Sequence, residues 1–171
     1  QLAFSFFSGF GKPRPVPTDV NNDPPFNWGT PDAYQFFLEL GPLSNANTKY
    51  LKNAIPFWNE LTQHPNYDSY WQAKNLLPHL KNIKAAVMTV GGWYDTEDLY
   101  GPLQTYKAIE KNNPGISNTL VIGPWVHGGW TSTTGEKIGD TNFGFKTAYT
   151  YQPIEFAFFK HHLKGGDRPA L

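Results

Sequence analysis

Cysteine is absent from the 171-residue chain, which removes disulfides and thiolate metal sites and leaves the redox compartment unread. Charge is scarce too: 16% of residues are Asp, Glu, Lys or Arg, against roughly 25% in an ordinary soluble protein. The 14 basic and 14 acidic residues cancel and neither sign forms a run, so no electrostatic footprint for nucleic acid or an anionic membrane exists. No apolar stretch reaches the roughly 18 residues of a membrane span. The opening Gln-Leu-Ala-Phe-Ser-Phe-Phe lacks the basic start of a signal peptide. Zinc spacing is missing as well: His64 and His79 have no ligand partners at metal distances in sequence. His161 and His162 are adjacent, about 100° apart on a helix, and read as a solvated helix end. What the chain has instead is aromatic surface to bury, with 6 Trp, 9 Tyr and 13 Phe, and a length that fits one core-forming domain.

Proline and glycine punctuate this content. Residues 1–29, with Lys12-Pro13-Arg14-Pro15-Val16-Pro17 and Asn21-Asn22-Asp23-Pro24-Pro25, read as an extended, loop-forming segment. Thr30-Pro31-Asp32 then supplies the polar cap, first-turn proline and acid of a helix start, predicting a helix over residues 33–40 that stops at Gly41-Pro42. Further helices are expected over 47–54, over 56–63, and from Asp68 towards Leu77 before Pro78. Residues 30–80 therefore read as a helical cap region. From Ile83 the pattern becomes strand, helix, strand, loop and helix. The middle helix carries Leu99, Leu103, Tyr106 and Ile109 at helical spacing and ends at Asn113-Pro114-Gly115. The last helix is expected to open with Pro153 and stop at Gly165-Gly166.

Two segments carry chemistry. Gly91-Gly92-Trp93-Tyr94-Asp95-Thr96-Glu97-Asp98 follows an apolar run over residues 85–90, and Gly123-Pro124-Trp125-Val126-His127-Gly128-Gly129-Trp130 follows another over 119–122. Each run reads as a buried strand, and each segment sets one reactive side chain at a strand's carboxyl end, where open α/β sheets place ligands. Asp95 precedes His127 by 32 positions, room for one crossover helix and one strand. That is the order in which an α/β-hydrolase supplies the last two members of a Ser…Asp…His triad. The serine is missing, since Ser5, Ser8, Ser44, Ser69, Ser117 and Ser132 all lie outside any Gly-x-Ser-x-Gly turn. Alone, Asp95 also reads as a turn residue and His127 as a satisfied loop histidine; order and spacing favour the pair. Glu97 and Asp98 read as helix-capping acids. Trp93, Tyr94, Trp125 and Trp130 flank the pair, and packing and the wall of an acyl pocket are both open to them.

These segments resemble the bacterial serine hydrolases that include α-amino-acid ester hydrolases, glutaryl cephalosporin acylase-like proteins, cocaine esterase and X-prolyl dipeptidyl peptidases. Asp95-x-Glu97-Asp98 with Gly101 is most similar to the ester hydrolase and acylase branch. His64-Pro65-Asn66-Tyr67-Asp68-Ser69-Tyr70-Trp71-Gln72 resembles the family segment between cap and core, and Phe158-Phe159-Lys160-His161-His162-Leu163-Lys164-Gly165 its closing helix. The resemblance spans about residues 30–166. It implies a partial α/β-hydrolase, with residues 81–171 as the C-terminal part of the core. The nucleophile region, its oxyanion-hole tyrosine and the C-terminal jelly-roll domain have no counterpart here, so the chain is expected to be an internal piece of a larger hydrolase and inactive alone.

What the resemblance implies is a serine hydrolase cleaving ester or amide bonds of a small-molecule or short peptide acyl substrate, with no cofactor, metal, nucleic acid or membrane partner. A homo-oligomer is left open, and the family favours a bacterial periplasmic or extracellular setting. Asp95 and His127 are the expected catalytic residues, and Trp93, Tyr94, Trp125, Trp130 and Asp32 the expected substrate contacts. In amino-acid ester hydrolases an acidic pair near a comparable helix start holds the substrate's ammonium group; here Asp32 follows Pro31 rather than a second acid. The reading from another class is a non-catalytic α/β domain binding a peptide or glycan, which needs no upstream nucleophile turn.

Overall fold

The computed structural model describes residue 4, residues 6–8, 11–13 and 16–17, and residues 26–169. It divides into two compact units, Gln1–Lys74 and Asn75–Leu171.

In the first unit helix α1 spans Ala33–Leu40, and Asp32 caps it by accepting the Tyr34 and Gln35 amides on its carboxylate. Gly41 stops it at φ 70°, a conformation that a Cβ would strain. The helix expected over 47–54 is shorter. Asn47–Leu51 forms a π-helical turn, closed by the Lys52 amide on the Asn47 carbonyl, and Lys52 itself turns left-handed. Helix α2 covers Pro56–Gln63, with proline at its first position as expected. Helix α3, Ser69–Ala73, is capped by Asp68 but stops well before Leu77. The Asn75 side chain accepts the Leu77 amide, a local bond that competes with helix and starts the 3₁₀ turn Leu77–His79.

Aromatic residues supply this unit's core. Phe4, Phe36 and Trp58 are buried with Leu40, Ala46, Leu51 and Ile55, and Phe7, Phe26, Trp28, Phe37 and Tyr50 pack against them. Most rings meet edge to face, Phe4 against Phe26 at 5.2 Å and against Trp58 at 5.6 Å, the geometry that the ring quadrupole favours. Phe4 and residues 6–8 are helical, where an extended segment was expected, because this aromatic run has a core to enter. The proline- and asparagine-rich stretches at 14–15 and 18–25 lie outside the described residues.

The second unit is built on a parallel pair. Strands β1, Val87–Gly92, and β2, Asn118–Gly123, run in register from Val87 opposite Asn118 to Gly92 opposite Gly123. Parallel pairing needs a crossover, and helix α4, Tyr100–Asn112, provides it. Buried Asn113, just past α4, ties the end of that helix to the segment leading into β1. Its Oδ1 accepts the Ile83 amide at 2.8 Å and its Nδ2 donates to the Leu80 and Ile109 carbonyls. Residues 75–80 thereby join the second unit. The strands were expected to be buried; they are only half-buried until their carboxyl ends at Gly91, Gly92 and Gly123, since two strands leave much of each face uncovered.

Beyond β2 come the short helix α5, Gly129–Ser132, and a small antiparallel hairpin of β3, Lys137–Ile138, and β4, Thr141–Asn142. Helix α6, Ala148–Lys164, closes the unit, with Pro153 inside it rather than at its start. Tertiary bonds override the proline signal. Buried Thr147 accepts the Trp125 indole N–H at 3.0 Å and donates to the Gly135 carbonyl at 2.7 Å, while the Ala148 amide bonds Thr134. This anchor fixes the first turn five residues ahead of Pro153. Gly165 ends the helix in the left-handed conformation, as expected.

Candidate active site

Two glycines allow the carboxyl ends of β1 and β2 to close on each other. The Tyr94 amide donates to the Trp125 carbonyl at 3.0 Å, the Trp93 amide to the Gly123 carbonyl at 2.9 Å. A Cβ on Gly92 would collide with that Trp125 carbonyl, and one on Gly123 with the Trp125 ring. The two loops after the strands are thus zipped backbone to backbone, and Asp95 and His127 hang from them as neighbours.

Asp95 Oδ2 lies 2.9 Å from His127 Nδ1. Asp95 is buried, with its other oxygen, Oδ1, accepting the Glu97 and Asp98 amides at 2.9 Å each. The carboxylate is therefore held at three points. Burial pushes its proton affinity up, but the two amides and the imidazole outweigh that, and the carboxyl titrates below its ordinary range. An ionised Asp95 can only accept, so Nδ1 carries the hydrogen and neutral His127 keeps its lone pair on Nε2. The His127 side chain is 63% exposed. The Asp95 hydrogen bond and charge raise its pKa, against a smaller opposing effect of burial, with Asp98 and Glu97 adding to the rise.

Asp98 is where the structure departs from the sequence. Glu97 and Asp98 do not cap α4, which begins at Tyr100 without a side-chain cap or first-turn acid; the Asp95 carboxylate fills that role for their amides. Asp98 instead turns its carboxylate towards the imidazole, Oδ2 at 3.4 Å from Nδ1. One oxygen of each acid and a ring nitrogen of His127 lie within 4.8 Å of one another, and an Nδ1 that donates to Asp95 has no lone pair for a metal. Sequence spacing held the clue to this second acid: Asp98 sits three residues beyond Asp95, one turn further along the same loop.

The flanking aromatics separate into two groups. Trp93 and Tyr94 are exposed, at 56% and 47%. Trp125 is buried against Trp130 and Tyr151, with its ring nitrogen satisfied by Thr147. Trp130 is half-buried beside it. Asp32 belongs to the first unit, as the cap of α1.

A parallel βαβ unit with an acid and a histidine joined at the strands' carboxyl ends is the C-terminal portion of an α/β-hydrolase fold. Residues 20–129 match the X-Pro dipeptidyl-peptidase (S15) family, and the chain belongs to that hydrolase family. It is 31% identical over 125 residues to cocaine esterase of Rhodococcus sp. (strain MB1 Bresler), covering 70% of this chain and 20% of the esterase. It also resembles the crystal structure of an aminopeptidase from a marine sediment archaeon, Thaumarchaeota archaeon, with a TM-score of 0.80 and 28% identity over 88% of this chain and 25% of that one. The chain therefore spans about a fifth to a quarter of the length of these relatives.

Proposed function

We propose that this chain forms part of a serine hydrolase cleaving ester or amide bonds, with His127 as general base, Asp95 as its orienting carboxylate, and the nucleophilic serine supplied from outside residues 1–171. The contact between Asp95 and His127 at 2.9 Å is the observation that carries this reading. A serine hydroxyl is a weak nucleophile at neutral pH, so its proton must pass to a base that later returns it to the leaving group. Nε2 of His127 is free of the Asp95 bond and keeps the lone pair that accepts this proton. The imidazolium so formed is stabilised by Asp95, which stays ionised throughout. Among the relatives, one is an esterase and the other an aminopeptidase, and both cleavages are acyl transfers that this pair serves equally.

The exposed faces of Trp93 and Tyr94, two residues and one residue before Asp95, suit the wall of an acyl pocket. Recognition of a substrate α-amino group by Asp32 has less support, because Oδ1 of that carboxylate is already engaged by two helix amides. A fluorophosphonate tests the reading. In the intact enzyme that carries this sequence, the reagent should label one serine, mapped by mass spectrometry, outside these 171 residues. A label at Ser117, Ser132 or another serine of this chain would overturn it.

A further inference from the structure

We propose that the cavity at the amino end of β2 is a binding site for a phosphate group, free or carried as a monoester on a small organic molecule. The cavity holds about 380 Å³, within the range of ligand pockets, and lies at the opposite end of β2 from the His127 loop. Five residue steps from Asn118 to Gly123, at about 3.3 Å each, put roughly 16 Å between the two ends. The site is thus separate from the Asp95–His127 pair and does not depend on the hydrolase reading. Three parts of the second unit build its wall: Ser117 just ahead of β2, Phe158, His161 and His162 on α6, and Arg168 beyond that helix.

The fixed charge of this wall has one sign. Arg168 lines the cavity and no Asp or Glu does, and among the described residues no carboxylate pairs with Arg168. Glu110 is not in the wall; its Oε2 accepts the Asn118 side-chain N–H at 2.9 Å. A free guanidinium offers a planar fork of N–H donors that matches phosphate oxygens. Ser117 adds a hydroxyl, with Oγ 3.4 Å from His162 Nε2, close enough for one tetrahedral anion to reach both. His161 brings the opposite character. Its Nδ1 donates to the Gly166 carbonyl at 2.7 Å, so in the neutral ring Nε2 is an acceptor. A partly protonated phosphate meets both demands: its anionic oxygens accept from Arg168 and Ser117, and its P–OH donates to His161 Nε2. Sulfate at neutral pH has no hydrogen to give, and a carboxylate has only two oxygens. The Phe158 ring, packed on His162 at 4.6 Å, gives the organic part of a monoester an apolar surface. Complementing the helix dipole accounts for the basic side chains in the last turn of α6, but not for Arg168 or Ser117, which lie outside the helix. The Lys160 and His161 carbonyls at that end are already closed by the Gly166 and Gly165 amides.

Isothermal titration calorimetry tests the proposal on the intact enzyme that carries this sequence, as the unaltered protein, Arg168→Gln and Ser117→Ala. Inorganic phosphate, phenyl phosphate, sulfate and acetate are titrated into each. Phosphate should bind the unaltered protein with a Kd of about 1 mM or tighter, the scale of a few charge-assisted hydrogen bonds. Arg168→Gln should weaken it about tenfold or more and Ser117→Ala about threefold, as expected for losing a charged and a neutral hydrogen bond. Both side chains are exposed and outside the regular elements, so the fold should survive, which circular dichroism checks. Sulfate and acetate should each bind at least about threefold more weakly than phosphate, since each leaves one of those bonds unmade. Tighter binding of phenyl phosphate than of phosphate would support a monoester as the ligand, and equal binding the free anion. Absence of phosphate binding overturns the proposal. So does equal phosphate affinity in all three proteins, or sulfate or acetate bound as tightly as phosphate.

Discussion

The carbonyl oxygen of Trp125 accepts the amide hydrogen of Tyr94 at 3.0 Å, in the space where any residue but glycine at position 92 would put its Cβ. This one bond joins the loop carrying Asp95 to the loop carrying His127. Gly92→Ala should force the strand ends apart, destabilise the protein by about 1–3 kcal/mol as overpacking against a rigid neighbour does, and weaken the Asp95–His127 contact. Urea unfolding gives the first quantity, and loss of the hydrogen-bonded Nδ1–H signal in NMR gives the second. A variant as stable as the parent, with that signal intact, would show that the loops do not need the close approach.

Thr147 reaches the site indirectly. Its hydroxyl sits between the Trp125 indole N–H and the Gly135 carbonyl, all in the buried interior beneath the His127 loop. Thr147→Val keeps the shape and removes both bonds, leaving a buried donor and acceptor unpaired at a cost of about 1–3 kcal/mol. Thr147→Ser, which keeps the hydroxyl, should recover most of that. Equal stability of the valine and serine variants in thermal unfolding would contradict this role.

The pair also gives stability a pH signature. His127 has a raised pKa in the folded protein, so its contribution is complete below the unfolded value of about 6.5 and is lost as pH rises through the folded one. Asp95 has a lowered pKa, so its contribution is complete above the unfolded value of about 3.9 and is lost as pH falls through the folded one. The two overlap between roughly pH 4 and 6.5. His127→Gln should flatten the decline of unfolding free energy above pH 6.5 and leave other titrations in place. A decline of unchanged size in that variant would assign the effect elsewhere.

Much of the second unit was legible because its signals are local and strong. The apolar runs ahead of Gly91 and Gly123 mark β1 and β2, and Asn113-Pro114-Gly115 marks the end of α4. The neighbouring positions of Asp95 and His127 followed from their order, their spacing and the family-like segments that hold them. What could not be read depends on tertiary contacts. Pro153 looks like a helix start until Thr147 is seen bonded to Trp125 and Gly135. Asp98 looks like a capping acid until Asp95 is seen to hold the turn amides itself. Trp125 could not be separated from Trp93 by sequence, since both follow a strand; only burial distinguishes them. Just after α3, Asn75 starts a 3₁₀ turn through a side-chain bond to the Leu77 amide that no helical periodicity shows.

Whether His127 is the base of an acyl-transfer reaction is tested most directly by kcat and KM of the intact enzyme carrying this sequence, assayed on a chromogenic ester as His127→Ala, with folding checked by circular dichroism. The serine then lacks its proton acceptor while the binding surfaces remain, so kcat should fall by several orders of magnitude, with roughly 10⁴ to 10⁶ as the range for triad members, and KM should change little. Asp95→Asn should also act mainly on kcat, through the tautomer and the imidazolium, with a loss as large as roughly 10⁴-fold, and combining the two should cost little beyond the worse single change. A folded His127→Ala enzyme with near-normal kcat would contradict the assignment and make the Asp95–His127 bond a structural feature of the loop.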